Sequence, residues 1–276
     1  MTDGIRLDAE SFRDIEKSGW SAKAGFYDDM LGQVTSGATT PLLDAAGVGP
    51  GMRVIDVACG PGYVAAGAAS RGAHAVGIDF AVDMVSQARR RFPEIDFSEG
   101  DAEDLAFEAE SFDAATCAFG VLHFADPDKA LAEAYRVLRP GGRYAFTVWA
   151  APDRHEFFAL FLKAVSTHGD MNVDLPPSPP IFRFADAAEC RRGLEKAGFV
   201  DVEVSELPLK WRPPTVEAIL DGIYRGTVRT AMLLERQKAE ARDRIHRAIE
   251  DEAAAYARDD GYEIGWPAVL ATARKP

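Results

Sequence analysis

The chain has 276 residues, 47% hydrophobic and 27% charged, which suits one large domain, or a domain with a cap, around a sizeable core. Its 31 Lys and Arg against 44 Asp and Glu leave a net charge of −13, which disfavours phosphate backbones and argues against a nucleic-acid partner. No apolar run approaches the ~18 residues of a membrane span. Met1 to Glu10 carries Asp3, Asp8 and Glu10 where a signal core would need apolar residues, so the expectation is a cytoplasmic protein with no membrane partner. The cysteines, Cys59, Cys117 and Cys190, are too few and too scattered for a disulfide framework or a zinc site.

Met1 to Pro50 reads as helices, with Trp20, Ala24 and Tyr27 on one face and a second helix from Thr40 to Ala46 stopped at Gly47. Strands and helices then alternate. The strands are expected at Arg53–Ala58, Ala75–Asp79, Ile95–Glu99, Phe112–Ala118 and Arg143–Val148, the helices at Tyr63–Arg71, Ala81–Arg91 and Pro127–Leu138. This alternation implies a doubly wound, mostly parallel α/β sheet with right-handed crossovers. Ala151 to Phe184 is Pro-rich, too long for a plain connection, and reads as an insertion with a helix from Glu156 to Ser166. A helix Ala185–Ala197, a strand Val200–Leu207, a helical block Pro214–Arg258 and a last strand Pro267–Ala273 complete the chain. The long C-terminal helices fit pairing between chains or folding back on one, so monomer and homodimer both stand.

The most informative stretch is Val54-Ile55-Asp56-Val57-Ala58-Cys59-Gly60-Pro61-Gly62-Tyr63, a β-branched run breaking into a glycine turn that feeds an Ala-rich helix. Such a turn presents backbone N–H groups to a cofactor at the carboxyl end of a strand. Gly60, Gly62 and Ala65 fit G-x-G-x-x-A, and Asp79 ends the second strand, so a dinucleotide site would look similar. Four further features discriminate. Asp56 lies within the first strand, where a carboxylate repels pyrophosphate and favours an ammonium and a sulfonium. Gly100-Asp101-Ala102-Glu103 follows the third strand, Leu138-Arg139-Pro140-Gly141-Gly142 precedes the fifth, and Gly198-Phe199 opens a strand before the final helices.

Together these motifs resemble class I S-adenosylmethionine-dependent methyltransferases, in particular the small-molecule group with a ubiquinone-biosynthesis-like core. The resemblance covers Met52 to Ala150 strongly and extends weakly to Trp266-Pro267-Ala268-Val269-Leu270. It departs at Ala58, where the family's first glycine is usual. It implies a seven-stranded Rossmann-like sheet with an antiparallel last strand and a helical cap. The organisation expected is an N-terminal helical cover (1–50), an S-adenosylmethionine-binding core (51–150), an insertion or cap (151–184), and completion of the sheet (185–276) with a cap insertion at 214–258.

Carried over residue by residue, the resemblance places the backbone of Ala58, Cys59, Gly60 and Gly62 on the methionine part of the cofactor, with Asp56 near its ammonium. Asp79 would accept both ribose hydroxyls, Phe80 and Met84 would lie on the adenine, and Asp101 and Ala102 would read its polar edge. Ala118 or Phe119 would offer a carbonyl to the amine, and Tyr27 would close the site. Taken singly, Asp56 reads equally as a structural acid capping the turn, and Asp79, Asp101, Phe80 and Met84 as ordinary loop or core residues. Their recurrence at successive strand ends makes the site reading.

Methyl transfer from a sulfonium needs alignment and exclusion of water more than acid–base machinery. The histidines, His74, His123, His155, His168 and His246, lack metal-ligand spacing. His123, in the loop after the fourth strand, is the candidate base, its ordinary pKa of ~6.5 suiting proton abstraction near neutrality. Its alternative role is to order that loop. The pairs His155-Glu156 and His168-Asp170 read as surface. Phe157, Phe158, Phe161, Phe182 and Phe184 would give the cap an apolar lining for a small, partly apolar acceptor, methylated at O, N or C with S-adenosylhomocysteine as product. The competing readings are a nicotinamide-dependent oxidoreductase and a non-catalytic binding protein on the same fold.

Overall fold

The computed structural model describes residues 8–276; Asp3 and the rest of 1–7, on which part of the signal-core reading fell, lie outside them. Three helices lead in: α1 (Ala9–Lys23), α2 (Leu31–Thr35) and α3 (Thr39–Ala45), with a 3₁₀ turn at Ala24–Asp29. Asp8 caps α1, its carboxylate accepting from the Ser11 N–H. The alternating region follows as β1 (Arg53–Val57), α4 (Tyr63–Ser70), β2 (His74–Asp79), α5 (Val82–Arg91), β3 (Asp96–Glu99), β4 (Phe112–Ala118), α6 (Pro127–Val137) and β5 (Leu138–Trp149). Then come α7 (Glu156–His168), α8 (Ala187–Ala197) and β6 (Val200–Leu207). The last quarter holds β7 (Lys210–Trp211), α9 (Val216–Gly226), α10 (Arg229–Glu235), α11 (Ala239–Ala253), β8 (Ala257–Arg258), β9 (Gly261–Tyr262), β10 (Ile264–Gly265) and β11 (Ala268–Arg274).

Seven strands form one sheet in the order β3-β2-β1-β4-β5-β11-β6, while β7 pairs with β10 and β8 with β9 in two short ribbons. The first five strands of that order run parallel, and β11 lies antiparallel to both β5 and β6. Strand order reverses between β1 and β4, which opens a crevice at their carboxyl ends. The pleat sends consecutive residues to opposite faces. Val54 packs with Leu42, Val64 and Ala68, and Ile55 with Phe112, Leu131 and Phe146.

Strand β5 begins five residues before the expected Arg143. Leu138 already pairs with Phe112, the register then jumps so that Arg143 meets Ala114, and Pro140-Gly141 bulges out between. The helical block 214–258 is three helices, α9 to α11, and its last two residues, Ala257 and Arg258, are the short strand β8. Thr227 is extended, and its hydroxyl accepts from Ala231 N–H at the start of α10. These helices, α7 and the aromatic residues Trp211 and Trp266 share a second core above the strand ends, in which Phe157 stacks on Trp266 at 4.1 Å.

Candidate active site

The turn after β1 is a closed hydrogen-bonded unit. Cys59 N–H donates to Ile78 O at 2.8 Å, Gly60 N–H to the Asp79 carboxylate at 2.8 Å, and Gly62 N–H to Cys59 O at 2.9 Å. Gly62 sits at φ 91°, and a Cβ there would lie 2.7 Å from the Phe97 ring, so only glycine fits. Ala58 adopts φ 54°, a left-handed conformation that disfavours a side chain by ~1–2 kcal/mol, at the position where the resemblance expects glycine. The Cys59 side chain packs away from the crevice, with Ala65, Val85 and Phe97.

Asp56 lies behind this turn, 1% exposed. One oxygen accepts from Ala65 N–H (3.2 Å), an otherwise unpaired donor in the first turn of α4, and the other from the Thr116 hydroxyl of β4 (2.9 Å). Burial outweighs those two hydrogen bonds and pushes its carboxyl up to about 7. It does not line the crevice. A carboxylate therefore occupies the helix N-terminus where a dinucleotide's pyrophosphate would bind, and the turn's own donors are already taken. Among the described residues no Lys or Arg lines the crevice beside it.

Asp79, at the end of β2, faces that crevice. Its oxygens accept from Gly60 N–H (2.8 Å) and Ala81 N–H (2.9 Å), which leaves a free lone pair on each for a pair of hydroxyls. Burial raises its carboxyl to about 6 against these hydrogen bonds and the His123 imidazole. Among the described residues, a donor set of one carboxylate, aromatic walls and no Lys or Arg fits a ribose joined to a sulfonium better than a pyrophosphate.

Beside Asp79 the crevice is lined by Tyr27, Thr35, Ala58, Gly60, Phe80 and Met84, and across it by Ala118, Phe119, Gly120, His123 and Trp149. A narrow extension reaches Gly100, Asp101, Ala102 and Glu103. Tyr27 bonds Thr35 through its hydroxyl (3.1 Å). Phe119 sits at φ 56° with its ring stacked 3.9 Å from Trp149. A Cβ on Gly120 would come within 2.6 Å of the Ala58 Cβ and 2.7 Å of Cys117 Sγ, so the loops after β1 and β4 meet over this glycine. The structure thus brings Tyr27, Ala58, Gly60, Asp79, Phe80, Met84, Asp101, Ala102, Ala118, Phe119 and His123 to one crevice, and sets Asp56 and Cys59 behind it.

A second cavity, of about 300 Å³, lies under the cap. Phe157, Phe158, Phe161, Phe182, Leu233 and Trp266 line it, with Arg229 the one Lys, Arg, Asp or Glu in its wall among the described residues and His123 at its edge. Phe184 belongs instead to the sheet core, packed on Phe146 at 5.7 Å. His155, read from sequence as a surface residue, is buried among Trp149, Phe158 and Trp266. It caps α7, its Nδ1 accepting from Phe158 N–H, and burial lowers its pKa to about 3.

Sequence reasoning passed over Trp149, Leu31, Thr35 and Glu16. Glu16 was findable, being one turn before Trp20 on the stripe that runs to Ala24 and Tyr27. Trp149 stood one residue past the expected end of its strand. Helix α1, which carries Glu16 and Trp20, is tied down beside the crevice by ion pairs from Lys17 to Glu99 and from Arg13 to Glu103, and by the contact of Glu16 with His123.

Residues 55–146 match the family model described as a methyltransferase domain. The chain is 43% identical over 120 residues to a demethylmenaquinone methyltransferase of Renibacterium salmoninarum, covering 44% of this chain and 51% of that one. It is 36% identical over 169 residues to a demethylmenaquinone methyltransferase of Mycobacterium sp. (strain KMS), covering 57% of this chain and 72% of that one. The chain thus spans about half the length of the first relative and under three quarters of the second. In fold it is similar to the YcgJ protein of Bacillus subtilis, with a TM-score of 0.56, 21% identity, and coverage of 86% of this chain and 97% of that one. With its closed glycine turn, its acid at the end of β2, a methyltransferase-domain match over residues 55–146 and a relative 36% identical that it covers to 72%, the chain belongs to the class I S-adenosylmethionine-dependent methyltransferases.

Proposed function

We propose that this chain binds S-adenosylmethionine in the crevice between β1 and β4 and transfers its methyl group to a small apolar acceptor held under the cap. The observation that carries this reading is the shared wall: Trp20, Leu31, His123 and Trp149 line both the crevice and the cap cavity. A donor in one space and an acceptor in the other would meet at these four residues with water excluded.

The residues present suit the donor. Asp79 would hold the ribose hydroxyls, Phe80 and Met84 the adenine face, and Asp101 and Ala102 its polar edge. Backbone around Ala58 to Gly62 and at Ala118 or Phe119 would take the methionine end, with Tyr27 closing over it. Asp56 would act from behind, fixing the turn through α4. The bound donor supplies an electrophilic methyl on a sulfonium, and the chain's own residues orient the acceptor and take up its proton, for which His123 is the candidate base.

The acceptor best suited to an aromatic cavity of this kind is a flat, hydroxylated ring. The relatives' names, demethylmenaquinone methyltransferase, point the same way, to a quinone-type ring. In this reading residues 51–150 are the donor-binding core, 1–50 its cover, 185–276 the completion of the sheet, and 151–184 and 214–258 the parts that select the acceptor.

Calorimetry with S-adenosylmethionine and NAD tests the donor: micromolar binding of the first and none of the second is expected, and the reverse overturns the reading. Labelled methyl transfer is then expected to reduced naphthoquinones before carboxylates or amines. Transfer to amines alone would overturn the acceptor class.

A further inference from the structure

Glu16 is a buried acid in the middle of a helix that otherwise turns apolar residues inward, and neither the family resemblance nor the expected site residues give it a role. It is 0% exposed. Its Oε2 lies 2.9 Å from His123 Nδ1 and also accepts the Trp20 indole N–H at 3.1 Å. Its Oε1 is buried without a partner among the described residues. The Trp20 ring stands edge-on to the imidazole, 4.9 Å between centroids. A charged group is expensive to bury unless it is paired and hydrogen-bonded, and here the partners are His123 and Trp20.

We infer that Glu16 is a positioning residue that keeps the His123 proton on Nδ1 and so presents the Nε2 lone pair at the junction of crevice and cap cavity. A carboxylate oxygen offers only lone pairs, so the proton of the 2.9 Å contact belongs to the imidazole. Nδ1 is the ring's only bonded nitrogen among the described residues, and the ring borders the crevice, its Asp101 extension and the cap cavity. With the tautomer fixed this way, Nε2 can only accept. The acceptor molecule this arrangement selects carries an acidic O–H, as a phenol, hydroquinone or enol does, rather than an amine that attacks through its own lone pair.

The inference rests on the methyltransferase reading and deepens it. The hydroxyl proton passes to Nε2, and the electrons it leaves on the acceptor form the new bond to the methyl carbon. The methyl–sulfur bond breaks with its pair remaining on sulfur, leaving a neutral thioether and an imidazolium. Glu16 balances that imidazolium as it forms. The other groups facing His123 are Asp79 from β2, and Asp101 and Glu103 across the crevice extension. Arg229 from α10 lines the cap cavity with His123 and feels the charge of Glu16.

The test is ¹⁵N NMR of histidine-labelled, cofactor-free protein at neutral pH, with His123 assigned by its loss in His123→Gln. The wild type is expected to show the Nδ1–H tautomer. Glu16→Gln, which replaces an acceptor by an amide able to donate to Nδ1, is expected to shift the tautomer ratio toward Nε2–H by about tenfold or more. Glu16→Asp should restore part of the preference. An Nε2–H tautomer in the wild type, or an unchanged ratio in Glu16→Gln, overturns the inference, and the wild-type spectrum decides alone if the variant does not fold. Calorimetry with S-adenosylmethionine separates this from the broader reading. Wild-type binding with a failed tautomer test sinks only the role of Glu16, whereas no wild-type binding sinks the methyltransferase reading itself.

Discussion

Asp79 and Asp56 show how position decides what one side-chain type does. Both end or occupy strands of the same parallel pair, yet one faces the crevice and the other the helix behind it. Asp79→Asn keeps the shape and loses the charge that strengthens hydrogen bonds to a diol. The expected loss is ~10- to 100-fold in S-adenosylmethionine affinity, measured by calorimetry. Because burial lifts the Asp79 carboxyl to about 6, wild-type affinity should weaken as pH falls through 6, and in Asp79→Asn that dependence should vanish. Asp56 is linked to folding instead. Its carboxyl rises from 3.8 to about 7 on burial, so the folded protein holds a proton that the unfolded chain has released. Its contribution is most favourable below 3.8, declines as pH rises to about 7 and levels off above. Relative to wild type, Asp56→Asn should therefore gain stability between pH 5 and pH 8, by ~2–4 kcal/mol in denaturant titrations. The acids were readable from sequence because Asp79 ends its strand and Asp56 interrupts the apolar run of another. Their partners were not, since Thr116 lies 60 residues from Asp56 and the pleat tells which face a side chain takes but not what waits there.

At the scale of elements, the loops after β1 and β4 touch where Ala58 meets Gly120. Gly120→Ala should destabilise by ~1–3 kcal/mol through overpacking. Ala58→Gly removes one of the two clashing atoms and a left-handed side chain, so the double variant should recover part of that loss in thermal melts. Helix α1 offers a second comparison. Lys17 and Glu99 are each about half exposed, and losing that pair in Lys17→Ala should cost under ~1 kcal/mol. Arg13→Ala strips the cationic partner from Glu103, which is 2% exposed and keeps only the Asp126 N–H among the described residues, and should cost ~1–3 kcal/mol and speed hydrogen exchange along α1. Local chemistry made most elements legible. Gly62, Gly72 and Gly198 stop or start helices, and Asp126-Pro127 opens α6 with its cap bonded as expected. The register jump at Pro140-Gly141 was hidden, because a bulge is set by the neighbouring strand rather than by its own residues.

On the scale of the whole molecule, the sheet was readable and the cap was not, for one physical reason. Strand–helix alternation repeats a local rule, whereas the cap core gathers Met30, Phe157, Trp211, Ile249 and Trp266 from five separated segments. Aromatic composition announced an apolar region but not which rings would meet. Phe184 fell into the sheet core and His155 into the aromatic cluster because tertiary neighbours overrode their sequence surroundings. The place of β11 bears on how the chain acquires its shape. It lies between β5 and β6, so β6 has no sheet neighbour until the residues from Ala268 onward arrive. The C-terminal half of the sheet therefore cannot close during synthesis of the first 267 residues, and it folds by a long-range step. Ending translation after Pro267 should leave an exposed β5 edge and an orphan β6, seen as aggregation on expression and loss of cooperative melting, even though every residue of the donor crevice is still encoded.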